Sequence, residues 1–112
     1  MRETFHLVPE TVWAGRDPAT RYEAGSLATE GFIHCTDGLE ALGVTFDRYY
    51  AADPRAFTAL TVDLDALDVP WRYDVAGSPY PHIYGPIRPE AVRAVSRVDR
   101  AGDGTFAGLT PT

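Results

Sequence analysis

Three histidines sit in this sequence where strand side chains would project: His6 in "TFHLV", His34 in "GFIHC" and His82 in "PHIYGP". Imidazole exchanges protons near neutral pH, hydrogen-bonds through two distinct nitrogens and binds zinc. Side chains two apart on a strand share a face. His82 therefore projects with Tyr84, and His34 projects with Phe32 while Cys35 turns the other way. If the three strands are neighbours, the imidazoles meet in one cleft beside Tyr84, and His34 and His82 are the residues assigned its chemistry. A plainer reading has each histidine donating to a carbonyl at a strand edge. Three imidazoles with an open position would also make a catalytic zinc centre. No two of them have the close spacing of zinc motifs, however, and no carboxylate stands at a spacing that would orient them from behind. A pair formed by Cys35 and His34 is disfavoured because adjacent strand residues face opposite ways. Cys35 reads as a small core residue, and no metal site is assigned.

Other chemistry is missing. No P-loop, GxGxxG or GxSxG motif occurs, and Asp63, Asp65 and Asp68 lack the glycine and glutamate of a calcium loop. All ten basic residues are arginine. That excludes a lysine Schiff base, and it reads as the mark of a GC-rich coding sequence more than as a set of anion-binding forks. A net charge of −6 and a pI near 4.8 would repel a polyanion such as duplex DNA, so nucleic acid is not an expected partner. The single cysteine permits no internal disulfide. No apolar run reaches the roughly 20 residues needed to cross a bilayer, and the first ten residues lack the apolar stretch of a signal peptide. A cytoplasmic protein with no membrane partner is the expectation.

The elements that must position the histidines follow from periodicity. Residues 4 to 8 alternate, with Phe5 and Leu7 facing one way and His6 the other, as in a half-buried strand. "PETVWAG" reads as a short helix opened by Pro9 and closed by Gly15. Residues 16 to 30 read as a long loop with one helical turn around Leu27, and long ordered loops are often functional. "GFIHC" is a short strand. In "TDGLEALGVTFDRYYA", Leu39, Leu42, Phe46 and Tyr49 or Tyr50 fall on one helical stripe, and Asp37 with Glu40 resembles a capping box. "AFTALTVDL", "WRYDV", "HIYG" and "VRAVSRVD" follow as strands, with a helical turn at "PEAV" before the last. The glycine-rich residues 99–112 read as a frayed tail. A chain of 112 residues makes one domain spanning 1–112. Two main helices cannot supply the crossovers of a parallel sheet, so the fold class is α+β with small, curved, mainly antiparallel sheets.

"FHLV", Trp13, "SLATEGFIHCT", "FDRYY", "LTVDLDAL" and "PHIYGPI", in that order, resemble the bacterial and plant family catalogued as domain of unknown function 952, over about residues 4–98. That family is similar in fold to the ADP-ribosyltransferase superfamily, and its strand histidines look like those of the RNA 2′-phosphotransferase branch. The resemblance implies a cleft between two small sheets that holds NAD, ADP-ribose or a phosphorylated nucleotide, with NAD as a substrate and no tightly bound cofactor. It implies that His6 hydrogen-bonds the nicotinamide ribose, that Ser26 and Thr36 stand near His34 as ligand-binding hydroxyls, and that His82 and Tyr84 form the far wall. The late glutamate of many ADP-ribosyltransferases has no counterpart in "PHIYGP". The alternative is therefore a non-catalytic small-ligand or protein-binding module on the same fold. An acidic residue late in the chain that reached the cleft would favour catalysis, and a cleft closed by aromatic side chains would favour the module.

Overall fold

β3 (Phe57–Asp63) is the strand around which the chain is arranged, and all seven of its residues are buried. It pairs antiparallel with β1 (Glu3–Pro9) on one side and β6 (Val92–Arg100) on the other. β7 (Phe106–Pro111) lies outside β6, giving the order β1-β3-β6-β7. The computed structural model describes residues 1–112. Leu60 and Val62 point to one core with Val8, Leu64, Ile33, Ile83 and Ile87. Phe57 and Ala59 point to a second core with Leu42, Phe46 and Val98. A central strand covered on both faces reads as a continuous buried run, and each large apolar side chain buried this way stabilises the fold by about 1.5–3 kcal/mol.

β1 is covered on both faces too. The alternation of "TFHLV" sets His6 apart from the apolar pair Phe5 and Leu7. In the fold, Thr4, His6 and Val8 are the more deeply buried set, while Phe5 and Leu7 are half-buried against the second core. The cover over His6 comes from a second, three-stranded antiparallel sheet of β2 (Ile33–His34), β5 (His82–Ile83) and β4 (Trp71–Arg72), in the order β2-β5-β4. Its Ile33 and Ile83, paired with each other, are fully buried. The strand read over 71–75 stops after Arg72, and the carboxylate of Asp74 turns to side chains on β5 and beyond.

Three helices connect these layers. α1 (Glu10–Ala14) follows Pro9 directly. α2 (Gly25–Glu30) is the helical turn expected around Leu27 in the stretch otherwise read as loop, and Gly31 ends it at φ 88, in the left-handed region that favours glycine. The rest of that stretch is tied down where Tyr22 and Ile87 exchange backbone hydrogen bonds of 2.8 and 2.9 Å. α3 (Leu39–Tyr50) buries Leu42 and Phe46 and leaves Leu39 and Tyr49 exposed. Asp37 does not cap it. The cap position is Gly38, with no side-chain hydrogen bond, because the Asp37 carboxylate accepts instead from the hydroxyl of Tyr73.

Residues 99–112 are not frayed. Of the glycines that suggested mobility, Gly102 and Gly104 make the turn between β6 and β7, and Gly108 lies within β7. Gly104 has φ 90, and a Cβ there would collide with the Ala51 carbonyl oxygen. β7 then packs on α3. Phe106 lies so close to Gly43 that a Cβ on the glycine would stand 3.0 Å from its ring, and the Phe106 N–H donates to the Asp47 carboxylate at 2.8 Å. The Arg100 guanidinium donates to the carbonyls of Tyr50, Asp53 and Arg55 at 2.6 to 2.7 Å and to that of Gly104 at 3.0 Å. The architecture is α+β with antiparallel sheets, the class implied by the order of elements.

Candidate functional site

The two sheets touch at their edge strands and then part. Phe5 and Thr36 exchange backbone hydrogen bonds of 2.9 and 2.8 Å. A continued antiparallel ladder would bring Leu7 opposite His34, but there the His34 carbonyl accepts from the side chain of His6, with Nδ1 at 2.7 Å. A carbonyl only accepts, so Nδ1 carries the proton. Nε2 is then an acceptor, and it lies 2.9 Å from the Tyr22 hydroxyl, which donates to it. His6 is 6% exposed, and burial pushes its pKa down to about 4. It is a neutral imidazole with a fixed tautomer that spans the point where the sheets diverge.

Beyond that point a cavity of about 580 Å³ opens, within the roughly 300–1,000 Å³ of small-molecule sites. β1 supplies Phe5 to Pro9, the approach to α2 supplies Tyr22 and Ala24, and α2 itself supplies Gly25, Ser26 and Glu30. His34, Cys35 and Thr36 form the wall at β2, with Tyr80 and His82 beside them. α3 closes the far side with Val44, Thr45, Arg48, Tyr49 and Tyr50. The helix thus has two working faces, since Leu42 and Phe46 serve the second core.

The other two histidines have carboxylate partners. His34 is exposed, and its Nε2–H donates to Glu30 at 3.0 Å. His82 is mostly enclosed, with its side chain 18% exposed, and its Nδ1–H donates to Asp74 at 2.7 Å. Asp74 also accepts from the Tyr84 hydroxyl and, at 2.7 Å, from Arg72 Nε. These donors, Tyr84 foremost, then Arg72 and His82, hold the Asp74 carboxyl well below the usual range. With Nδ1 engaged, Nε2 of His82 has no partner within the protein. Phe32 stacks on the His82 ring at 3.9 Å between centroids and 12° between planes, and meets His34 edge-on at 4.9 Å. The ring is therefore held on one face and at one nitrogen.

His6, His34, His82, Ser26 and Thr36 all line this one cavity. Tyr84 does not. Its hydroxyl is bound to Asp74 and its ring lies under the Arg72 guanidinium, 4.0 Å away, so it supports His82 rather than walling the cleft. Cys35 is buried and points away from His34, yet it borders the cavity as well as the core. Burial pushes its thiol pKa up, which leaves it a poor nucleophile. No three His, Cys, Asp or Glu side chains converge to hold a metal ion. The absence of orienting carboxylates read from the sequence is corrected by Glu30 and Asp74. Glu30 stands only four residues before His34, but the helix ends between them at Gly31, so neither a helical nor a strand period marked the pair. Asp74 and Tyr22 carried no local signal.

Likeness to other proteins agrees with this fold. The crystal structure of protein CC0527 from Caulobacter crescentus superimposes with a TM-score of 0.75 at 21% identity, covering 94% of this chain and 93% of that one. A double mutant of the same protein gives the same values. Its solution NMR structure gives a TM-score of 0.72 at 23% identity, over 94% and 91%. At such identities the likeness establishes the fold alone. No curated protein matches the chain. No helix is long and apolar enough to cross a membrane. The family described as "Protein of unknown function (DUF952)" matches residues 7–95, a span that holds His6's neighbours on β1, the whole of α3 and both other histidines, and the chain belongs to that family.

Proposed function

We propose that the cavity between the sheets binds a small nucleotide of the NAD, ADP-ribose or phosphorylated-nucleotide class, on a fold of the ADP-ribosyltransferase type. The observation that carries this reading is the convergence of His34, His82, Ser26 and Thr36 on one cavity whose inner end is the neutral His6 and the hydroxyl of Tyr22. His82, oriented by the bond from its Nδ1–H to Asp74, presents an unpartnered Nε2 for proton transfer. His34 backed by Glu30 is a second proton-transfer group. Ser26 and Thr36 offer hydroxyls to ribose or phosphate. Both nitrogens of His6 are occupied within the protein, so it meets a ligand through its ring. Tyr84 acts through Asp74. NAD would enter as a substrate in a cytoplasmic protein, with no nucleic-acid or membrane partner.

A second reading, a binding module without chemistry, has its own support. Tyr49, Tyr50 and Tyr80 line the cavity. Its only acidic lining residue, Glu30, comes early in the chain and is engaged by His34. No late carboxylate reaches in.

Thermal-shift and calorimetric titration against NAD, ADP-ribose, nicotinamide and nucleotide phosphates tests the class. His34→Ala and His82→Ala should each weaken binding about tenfold or more, the effect of losing one ligand-facing hydrogen bond to a charged or polar group. They should leave the melting temperature within a few degrees. Variants that bind like wild type would sink the site, and incubation with NAD that releases no nicotinamide while ADP-ribose still binds would select the module.

A further inference from the structure

The arginines of this chain are almost all occupied. Of the ten, six pair with carboxylates and three donate to a tyrosine hydroxyl or to backbone carbonyls. Arg48 alone has no hydrogen bond, ion pair or aromatic ring beneath it, and it is the one arginine that lines the cavity. Its place in the last turn of α3 would suit a role on the helix's terminal carbonyls. That role is filled already, because Arg100 takes the carbonyls of Tyr50 and Ala51 at 2.7 and 3.3 Å. On a chain of net charge −6, a cation is left free beside a cavity whose single carboxylate, Glu30, is engaged by His34.

The two ends of the cavity differ in character. The inner end is His6 and Tyr22, hydrogen-bonded to each other and both uncharged. The outer end carries Arg48 among Val12, Val44, Tyr49 and Tyr80, all of them exposed apolar or aromatic residues.

We propose that the ligand bears an anionic group, a phosphate or a carboxylate, held by the guanidinium of Arg48, with an uncharged ring or chain extending inward to His6 and Tyr22. Guanidinium matches both oxyanions with two parallel N–H donors, a geometry lysine cannot reproduce. The inference rests on reading the cavity as a ligand site, but it does not require a nucleotide.

Paired probes test it, each pair differing only in the anion: AMP against adenosine, and nicotinate against nicotinamide. Calorimetry on the wild-type chain should show the charged member bound about tenfold or more tightly. In Arg48→Gln that preference should fall to within about twofold. Arg48→Lys should recover part of it, and Arg97→Gln, which removes an exposed arginine elsewhere, should keep all of it. A preference that survives in Arg48→Gln, or none in the wild type, overturns the proposal. Should neither pair bind, the nucleotide reading fails, and inorganic phosphate decides what remains. Titrated against nitrogen-15-labelled protein, phosphate should move the Nε–H signal of Arg48 ahead of the other nine. Signals that all move together, or none that move, would overturn the anion subsite as well.

Discussion

A buried histidine held neutral makes stability depend on pH in a defined window. The folded-state pKa of His6 is about 4 against 6.5 for a free imidazole. Between these values the unfolded chain holds a proton on His6 that the folded chain does not, so stability rises with pH through the window and is lost on acidification. The shift of 2.5 units, at 1.36 kcal/mol per unit, gives about 3 kcal/mol in full. About half should be gone by pH 5.5 and most by pH 4.5. Carboxylates such as Asp53, held near 2 by Arg55, also lose stability as pH falls through the lower part of this range. The measurement is therefore a difference. Urea denaturation of the wild type and of His6→Asn should be followed at pH 7.5, 6.5, 5.5 and 4.5. The asparagine keeps a donor near the His34 carbonyl but does not titrate. Its initial deficit, about 1–3 kcal/mol for a Tyr22 hydroxyl left without its acceptor, should close by about 2 to 3 kcal/mol on going to pH 4.5. A gap that stays constant to within about half a kcal/mol would refute the reasoning. So would a nitrogen-15 spectrum showing His6 doubly protonated at pH 5.5.

Three further outcomes follow from contacts already described. Arg100→Lys should cost about 2–4 kcal/mol in urea unfolding, because an ammonium cannot span several carbonyls set out for a planar fork; a loss under about 0.5 kcal/mol would mean that the clamp is incidental. Gly104→Ala should destabilise by about 2 kcal/mol or more, combining a left-handed φ with a collision at the Ala51 carbonyl, and thermal melts will show whether the turn tolerates it. Asp74→Asn places an amide where Tyr84, Arg72 and His82 all donate, so the nitrogen-15 signature of His82 should lose its fixed Nδ1–H tautomer, and a signature unchanged from wild type would remove Asp74 as its orienting group.

What could be read from the sequence was whatever has a local period. The stripe of Leu42 and Phe46 marked α3, the run from Phe57 to Asp63 marked a strand, and the alternation around His34 and His82 set Cys35 on the opposite side. The pattern could not say which face of β1 is the deeper one, because Phe5, Leu7 and His6 all find cover and only the second sheet decides how much. Asp74 was invisible as a partner for His82 because β4 stops two residues before it, and the approach of 74 to 82 is made by a turn. β7 does not show in the sequence because Gly102, Gly104 and Gly108 resemble loop composition, and the hairpin turn is fixed at Gly104 by Ala51 from elsewhere in the chain and by Arg100 at the end of β6. Arg48 is the clearest case. A free guanidinium is defined by the partners it lacks, and no sequence displays that.

The packing of β7 behind α3 bears on where this unit can be cut and how it can vary. A gene fragment trimmed to the family-matched span, which ends at residue 95, would encode half of β6 and none of β7. The removed part includes Arg100 and Phe106, whose N–H donates to Asp47, so the helix carrying Val44, Thr45, Arg48 and Tyr49 would lose its rear support. Such a fragment is a poor choice for ligand screening. The same arrangement gives the C-terminal hairpin leverage over a cavity it never borders: exchanging Phe106 for a smaller or larger side chain would let α3 settle toward or away from the hairpin. Substitution in this outer strand would thereby change the width of the cleft while every residue lining the cavity stays the same.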